Sequence, residues 1–216
     1  MRMRDIAISV RNLVKRFDEE TVLRGISHDF EAGKIHGIVG NNGSGKTVFF
    51  KCICGFLVPE EGEVSVCGKS ICKDADFPES VGIIIEAPGF LSNISGFKNL
   101  KLLAALGGKI SDEKIRETIE MVGLDPKSRK HVGKYSLGMK QRLGIAQAIM
   151  ETPDCIIFDE PFNGLDKHGV AEMKVLIKGL RKDGKTILMA SHNPADIEEL
   201  CDSVHEMEAG LLSERE

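Results

Sequence analysis

Apolar positions follow two different periods along the chain, and the two kinds of segment alternate. Short apolar runs that end in glycine, proline or acidic residues predict strands at 6–30, 34–40, 62–68, 81–85, 155–160, 185–192 and 203–214. A polar turn divides the first at Asp18–Glu20, and the last turns at Gly210. Helically spaced apolar residues predict helices within 41–56, 96–107, 111–124, 139–151, 169–184 and 194–200. This alternation is typical of an α/β sheet.

The pattern changes after Pro88, where two helical segments follow each other without a strand between them. The second of these opens with Ser111 at a capping position, followed by Glu113 and Lys114. We therefore predict a helical insert in this part of the chain and no independent second domain.

Composition limits the possible classes of protein. The chain has 216 residues, 42% of them hydrophobic and 29% charged, as in a soluble globular protein of one domain. The formal net charge of -4 argues against nucleic-acid binding driven by overall charge. Asp5, Ser9 and Arg11 interrupt the start of the chain, which lacks the apolar stretch of a signal peptide, and no apolar run long enough to cross a membrane follows. We expect a cytoplasmic location.

The six cysteines form no C-x-x-C pair and have no histidine at metal-ligand spacing. We expect reduced, buried or incidental thiols at Cys52, Cys54, Cys67, Cys72, Cys155 and Cys201.

A phosphate-binding loop is predicted at Gly40–Thr47. The segment "GNNGSGKT" fits G-x-x-x-x-G-K-[ST], follows a predicted strand and opens a predicted helix. Lys46 would reach the β- and γ-phosphates and Thr47 would bind Mg²⁺, while the alternative is a glycine-rich turn with a surface lysine. The predicted nucleotide-binding residues of this segment are Gly40, Asn41, Asn42, Gly43, Ser44, Gly45, Lys46, Thr47 and the atypical Val48.

Two acidic residues end the strand "CIIFDE" at 155–160. Asp159 is placed to hold the Mg²⁺ shell, and Glu160 to orient or deprotonate water. Buried strands also end in acidic pairs for capping reasons. Because a phosphate loop precedes the pair, we predict that Asp159 is a metal ligand and that Glu160 is catalytic.

Three further segments carry a resemblance to a known family. "YSLGMKQRLGIAQAI" at 135–149 resembles the signature of the ATP-binding cassette family, "DEPFNGLD" at 159–166 its combined Walker B and D-loop, and "ASH" at 190–192 its switch histidine. The resemblance covers almost the whole chain, in the family's order and spacing. It implies an α/β fold: a P-loop NTPase (RecA-like) core with an N-terminal antiparallel β-subdomain and an inserted α-helical subdomain. We predict one domain over 1–216, with the core at 1–86 and 145–216 and the helical subdomain at 87–144.

In that family each ATP lies between the phosphate loop of one subunit and the signature of the other. The resemblance therefore implies that Ser136 Oγ and the Gly138 N–H meet the γ-phosphate at a helix N-terminus. The segment departs from the usual "LSGGQ" at Tyr135, Leu137 and Met139, which bears on affinity more than on mechanism. Ser136 is also placed to cap the following helix, and this role is compatible with the first.

Phe17 and His192 gain a role only through the resemblance. An aromatic residue on a strand is more often part of the core, and a histidine at a strand end is ordinary. The resemblance implies that Phe17 stacks on adenine and that His192 contacts the γ-phosphate. The remaining histidines match no family position and are expected to be surface or core residues: His28, His36, His131, His168 and His205.

Glu86 follows the apolar run 81–85 at the position where most family members have a glutamine that touches Mg²⁺ and the attacking water. A glutamate there, like "YSLGMKQRLGIA", resembles the ATP-binding subunits of bacitracin-type and lantibiotic-immunity exporters. A carboxylate is also an oxygen ligand for a hard cation. The resemblance thus implies a catalytic and metal-binding role for Glu86, and the alternative is a solvated acid at a strand exit.

The resemblance implies the nucleotide-binding subunit of a transporter, which hydrolyses ATP with Mg²⁺ as a homodimer or pseudo-dimer. A separate membrane permease would supply the path, so we expect the chain at the inner face of the cell membrane, with no nucleic-acid partner and with an antimicrobial peptide or peptide-like antibiotic as the exported cargo. One alternative is a soluble cassette ATPase of assembly or nucleic-acid processes. Another is a non-hydrolysing regulator, which should have lost Glu160 or His192, although both are present.

Overall fold

A computed structural model describes residues 6–86, 88–107 and 110–215. Asp5 and residue 87, where the helical subdomain is predicted to begin, lie outside the described residues. The strands are β1 Ile6–Phe17, β2 Glu20–Glu31, β3 Ile35–Val39, β4 Glu61–Val66, β5 Lys69–Ser70, β6 Val81–Ile84, β7 Cys155–Asp159, β8 Thr186–Ala190, β9 Ser203–Glu208 and β10 Leu211–Glu214. The α-helices are α1 Lys46–Ile53, α2 Gly96–Gly107, α3 Asp112–Met121, α4 Leu137–Ile149, α5 Lys167–Lys182 and α6 Pro194–Leu200.

The strands form two sheets. The first is antiparallel, in the order β2-β1-β4-β5, and the second has the order β10-β9-β3-β8-β7-β6. In the second sheet β9, β3, β8, β7 and β6 are parallel, and β10 pairs antiparallel at one edge. The predicted α/β fold with an antiparallel β-subdomain is confirmed.

Burial explains why the central strands read as continuous apolar runs. Every residue of β3, β7 and β8 is buried, because helices or the first sheet cover both faces of the second sheet. Phe49 and Phe50 of α1 belong to the cluster that also contains Phe30 of β2, so α1 packs between the two sheets. The carboxyl ends of β3, β6, β7 and β8 meet at one edge, where open parallel sheets bind their ligands.

The helical segment packs onto the other face of the parallel sheet. Ser111 caps α3, as predicted, and its side chain accepts a hydrogen bond from the Lys114 N–H at 3.2 Å. A Cβ on Gly82 of β6 would lie 1.8 Å from the Ala148 carbonyl oxygen, so α4 lies directly on the edge strand. The predicted boundary between residues 144 and 145 falls inside α4. Among the described residues, no helix combines the length and apolar character needed to cross a bilayer.

Candidate active site

A cavity of about 750 Å³ opens where the carboxyl ends of the parallel strands face the first sheet. It contains most of the residues that the sequence singles out, and residues of both sheets and of α1 and α4 line it. They are Phe17, Val22, Asn42, Gly43, Gly45, Lys46, Thr47, Val48, Glu86, Leu137, Gln141, Asp159, Glu160, Asn163 and Gly164.

The backbone of the loop from Gly40 to Gly45 depends on its glycines. Gly45 has φ +108°, a left-handed conformation that L side chains rarely adopt. A Cβ on Gly40 would lie 2.3 Å from the Met207 carbonyl oxygen. The Lys46 ammonium folds back over the loop and donates to the carbonyl oxygens of Gly40 at 2.7 Å and Asn41 at 3.0 Å. The loop is therefore closed around its own lysine at the start of α1.

One buried hydroxyl of this loop has no partner among the described residues. Ser44 is 8% exposed, and its Oγ makes no hydrogen bond. A buried hydroxyl without a partner is costly, and the N-terminus of α1 favours an anion. The positive end of α1, the Lys46 ammonium and the Ser44 hydroxyl together fit a phosphate group.

Asp159 and Thr47 bring two oxygen ligands together at the end of β7. Thr47 Oγ1 donates to Asp159 Oδ2 at 2.7 Å, and Asp159 is 8% exposed. Burial raises the pKa of the Asp159 carboxyl, and the nearby charges of Glu160 and Glu86 raise it further. A cation would relieve this burial and repulsion. Carboxylate and hydroxyl oxygens are also ligands that suit Mg²⁺, so these residues fit the ion that the family implies.

Glu160 is held from three directions. Its backbone has φ +53°, an uncommon conformation outside glycine. Its N–H donates to the Ala190 carbonyl at 3.0 Å, and its own carbonyl accepts from Gln141 Nε2 at 3.1 Å. Glu160 Oε2 lies 2.7 Å from His192 Nδ1. Elements β8 and α4 therefore fix the backbone of Glu160, and His192 orients its carboxylate.

His192 faces a second cavity, of about 560 Å³, which the other side of the phosphate loop also lines. Gly40, Asn41 and Ser44 belong to this second cavity. His192 thus contacts Glu160 and also lies next to the phosphate loop. Two of the three predicted catalytic residues therefore form one pair, without Glu86.

Glu86 lies at the rim of the first cavity, with φ +61°. Its Oε1 accepts from Lys51 Nζ at 2.8 Å, and its side chain is 62% exposed. Lys51 lies on α1, four residues after Thr47 and so on the same helix face. The structure therefore pairs Glu86 with a cation on α1, at the cavity that Thr47 and Asp159 also line.

Phe17 supplies an exposed aromatic ring to the cavity. It ends β1, is 42% exposed, and lies in the lining beside Val22 of β2. Lys15 Nζ lies 5.2 Å from the centre of the ring. This exposed ring lines the same cavity as Asp159 and Glu160 and suits the face of a planar base.

Ser136 and Gly138 do not line this cavity, although Leu137 between them does. Ser136 is exposed at the start of α4, and its Oγ accepts from the Met139 N–H at 3.2 Å, so the expected capping role is confirmed. A Cβ on Gly138 would lie 2.7 Å from the Gly164 carbonyl oxygen, so glycine permits this close approach. At the N-terminus of α4, Ser136 is therefore open to solvent while Gly138 packs against residue 164.

Several residues of the site were not singled out in the sequence. Lys51 had a usable signal, because it follows Thr47 by one helical turn. Gln141 had none, since its bond to the Glu160 carbonyl depends on how α4 packs against β7. Asn163 and Gly164 lie in the quoted segment 159–166, yet their place in the lining also depends on tertiary structure.

Comparison with known proteins identifies the family. The model of the ABC transporter family matches residues 23–163. The uncharacterized ABC transporter ATP-binding protein YybJ of Bacillus subtilis is 44% identical over 97% of this chain and 96% of its own length. The bacitracin transport ATP-binding protein BcrA of Enterococcus faecalis is 41% identical over 99% of this chain and 70% of its own.

Solved structures agree on the fold. The ATP-binding cassette MJ0796, in a dimeric post-hydrolysis state bound to ADP and Pi, superposes with a TM-score of 0.87 at 22% identity, over 97% of this chain and 98% of its own. The phosphate loop, the acidic pair at the end of β7 and the helix α4 thus belong to a chain whose sequence and fold both match this family. This chain belongs to the ABC transporter family and is an ATP-binding subunit with ATPase activity.

Proposed function

We propose that this subunit hydrolyses ATP with Mg²⁺ to drive a separate membrane permease that exports a peptide antibiotic. The observation that carries the hydrolytic part is the Glu160–His192 pair, 2.7 Å apart, beside the bond between Thr47 and Asp159. It supplies a candidate base next to a candidate metal site. A regulator that binds nucleotide without hydrolysing it would not need such a pair.

Each predicted residue has a role in this proposal. The phosphate loop, with Lys46 and Ser44, binds the phosphates, and Phe17 stacks on the base. Glu160 takes the proton of the attacking water, and His192 holds the carboxylate in position and contacts the γ-phosphate. A general base must lie within hydrogen-bond reach of the proton that it takes, and a carboxylate held in position by His192 suits this requirement.

Mg²⁺ would be held by Thr47 and Asp159, with Glu86 at the rim. When bound, the ion supplies charge neutralisation for the phosphate oxygens. Support comes from the raised pKa of Asp159, which reflects a buried carboxylate next to two others. Lys51 balances part of this negative charge through Glu86.

The active form is a dimer in which the Ser136 and Gly138 segment completes the site of the partner. Ser136 is exposed at the N-terminus of α4, where an anion is favoured, and does not line the cavity of its own chain. MJ0796, which shares the fold, is described as dimeric and bound to ADP and Pi. The dimer has two copies of this chain, or this chain and a related one.

The cargo follows from the relatives and from Glu86. BcrA, a bacitracin transport protein by name, is 41% identical over nearly the whole chain. Glu86 at the glutamine position points to the same branch. We place the subunit in the cytoplasm, at the inner face of the membrane, with the helical subdomain at 87–144 docked on the permease.

The test replaces Glu160 with Gln in the host cell and measures growth in bacitracin and in a lantibiotic, with Glu198→Gln as the control because Glu198 is exposed on α6. Export predicts sensitivity to at least one of these peptides in the Glu160 variant and parental growth in the control. Parental growth in both peptides would contradict the proposed cargo. If the wild-type chain were also absent from membrane fractions, the soluble cassette alternative would be favoured.

A further inference from the structure

Two cysteines from different sheets lie side by side outside the nucleotide site. Cys67 is exposed in the turn between β4 and β5, and Cys155 is the first residue of β7, 1% exposed. Their Sγ atoms are 3.3 Å apart, although the residues are 88 positions apart in the chain. Neither lines the cavity that contains the phosphate loop. The pair therefore bridges the antiparallel sheet and the parallel sheet at a point that the ATPase mechanism does not use.

The backbone holds Cys67 in place for this contact. Its φ is +50°, and its N–H donates to the Ala7 carbonyl of β1 at 2.7 Å. Cys155 N–H donates to the Ser80 carbonyl at 3.1 Å. Because both backbones are tied to neighbouring segments, the two sulfur atoms stay adjacent without a rearrangement of the fold.

The two thiols are chemically unequal. The hydrogen bond from Cys155 lowers the pKa of Cys67 to about 7, against the opposing effects of burial and of the Asp154 charge. The same bond, together with burial, raises the pKa of Cys155. The exposed sulfur is therefore the one that carries the thiolate, which is the reactive form towards oxidants.

We propose that Cys67 and Cys155 form an oxidation site, at which a hydroperoxide converts the thiol pair into a disulfide that joins the two sheets. The Cys67 thiolate attacks one peroxide oxygen, the O–O bond breaks, and the leaving hydroxide takes up a proton to give water. Cys155 then loses its proton and attacks the sulfenic sulfur of Cys67, the S–S bond forms, and the hydroxyl leaves as water. Two thiols are oxidised by two electrons, and one hydrogen peroxide is reduced to two waters.

The other cysteines serve as internal references. Burial raises the pKa of Cys52, Cys54 and Cys201 to about 12, so these thiols react slowly. Cys72 is exposed like Cys67, but among the described residues its sulfur contacts no other cysteine sulfur. Cys72→Ser is therefore the matched control for Cys67→Ser.

The disulfide stabilises the junction of the two sheets. A bond between residues this far apart restricts the unfolded chain strongly. We expect the melting temperature to rise by roughly 5–10 °C on oxidation and to return on reduction. Phe17 ends β1 of the first sheet, and the phosphate loop follows β3 of the second. Because the bond joins these two sheets, the fold around the nucleotide becomes harder to open.

The experiment treats the full chain with hydrogen peroxide, blocks remaining thiols by alkylation, and maps peptides by mass spectrometry without reduction. The proposal predicts a Cys67–Cys155 cross-linked peptide in the wild type and in Cys72→Ser, and none in Cys67→Ser. In Cys155→Ala no cross-linked peptide is expected, and Cys67, which has lost the hydrogen bond that favours its thiolate, should be oxidised more slowly than in the wild type.

The peptide map of the oxidised wild-type chain tests the proposal even if Cys155→Ala fails to fold, because this measurement needs no substitution. The proposal is overturned if Cys67 is still alkylated at peroxide concentrations that consume Cys72. It is also overturned if Cys67 is oxidised to the sulfinic acid or is joined to another cysteine while Cys155 remains reduced.

Discussion

Acid should destabilise the fold through a buried histidine cluster between the two sheets. His36 Nε2 lies 2.8 Å from the Glu31 carbonyl, which can only accept, so this nitrogen donates. Neutral His36 then accepts at Nδ1 from Ser203 Oγ at 2.7 Å, and Ser203 accepts in turn from His205 Nε2 at 3.0 Å. His205 Nδ1 is left buried, unprotonated and without a partner among the described residues.

A proton on that nitrogen would find no acceptor. Burial, together with repulsion from the neighbouring His28 and His36, lowers the pKa of His205 to about 4. At His28, Arg11 disfavours protonation while Asp29 and Glu214 favour it, and at His36, Lys34 disfavours it while Asp202 favours it. Burial, His28 and His36 all act on His205 in the same direction. The summed effect on His205 is a strong preference for the neutral form.

The sign and size of the effect follow from this shift. Because the folded pKa lies below the ordinary value of about 6.5, stability from His205 is complete above pH 6.5 and is lost as the pH falls towards 4. Between pH 7.5 and pH 5 the loss is about 2 kcal/mol, and it approaches about 3 kcal/mol at full protonation.

Urea unfolding at pH 7.5 and pH 5 measures this loss directly, in the wild type and in His205→Gln. Glutamine cannot titrate, so the variant should lose about 2 kcal/mol less than the wild type over the same interval. His168→Gln is the control, because His168 is exposed on α5, and it should follow the wild type. Equal pH dependence in all three proteins would refute the reasoning.

Three further predictions concern the nucleotide site. Lys46→Ala and Ser136→Ala should each abolish ATP turnover, while an equal mixture should recover about a quarter of it, because half of a randomly paired dimer population has one site free of both lesions; no recovery would contradict the shared site. Glu86→Gln should keep peptide resistance, because an amide oxygen still reaches the metal site, whereas Glu86→Ala should lower resistance more than ATP affinity. If the Glu86 variants lost ATP affinity and resistance equally, Glu86 would be a simple ligand. Lys51→Met should change ATP affinity less than about fivefold, since exposed ion pairs contribute at most about 1 kcal/mol.

Local chemistry made much of the site predictable. The phosphate loop, the acidic pair at the end of β7 and the cap at Ser136 each depend on residues close in sequence, and the structure places them at the expected elements. The burial of the parallel strands also gave continuous apolar runs that could be recognised.

Contacts between distant segments could not be predicted in the same way. The bond from Gln141 to Glu160 and the contact of Cys67 with Cys155 join residues from different elements. His36 and His205 were expected at the surface or in the core, and the structure places both in the core. Such pairs leave no periodic pattern in the sequence, because they arise from how sheets and helices pack.

The most direct test of the account is ATP turnover by Glu160→Gln, beside the wild type and Glu198→Gln. The glutamine side chain keeps the shape of the Glu160 carboxylate but cannot take up the proton of the attacking water. Turnover should fall by about 10²–10⁴-fold with ATP binding retained and a stable ATP-bound dimer on size exclusion, while Glu198→Gln stays at the wild-type rate. Wild-type turnover in Glu160→Gln would contradict the assignment of Glu160 as the base.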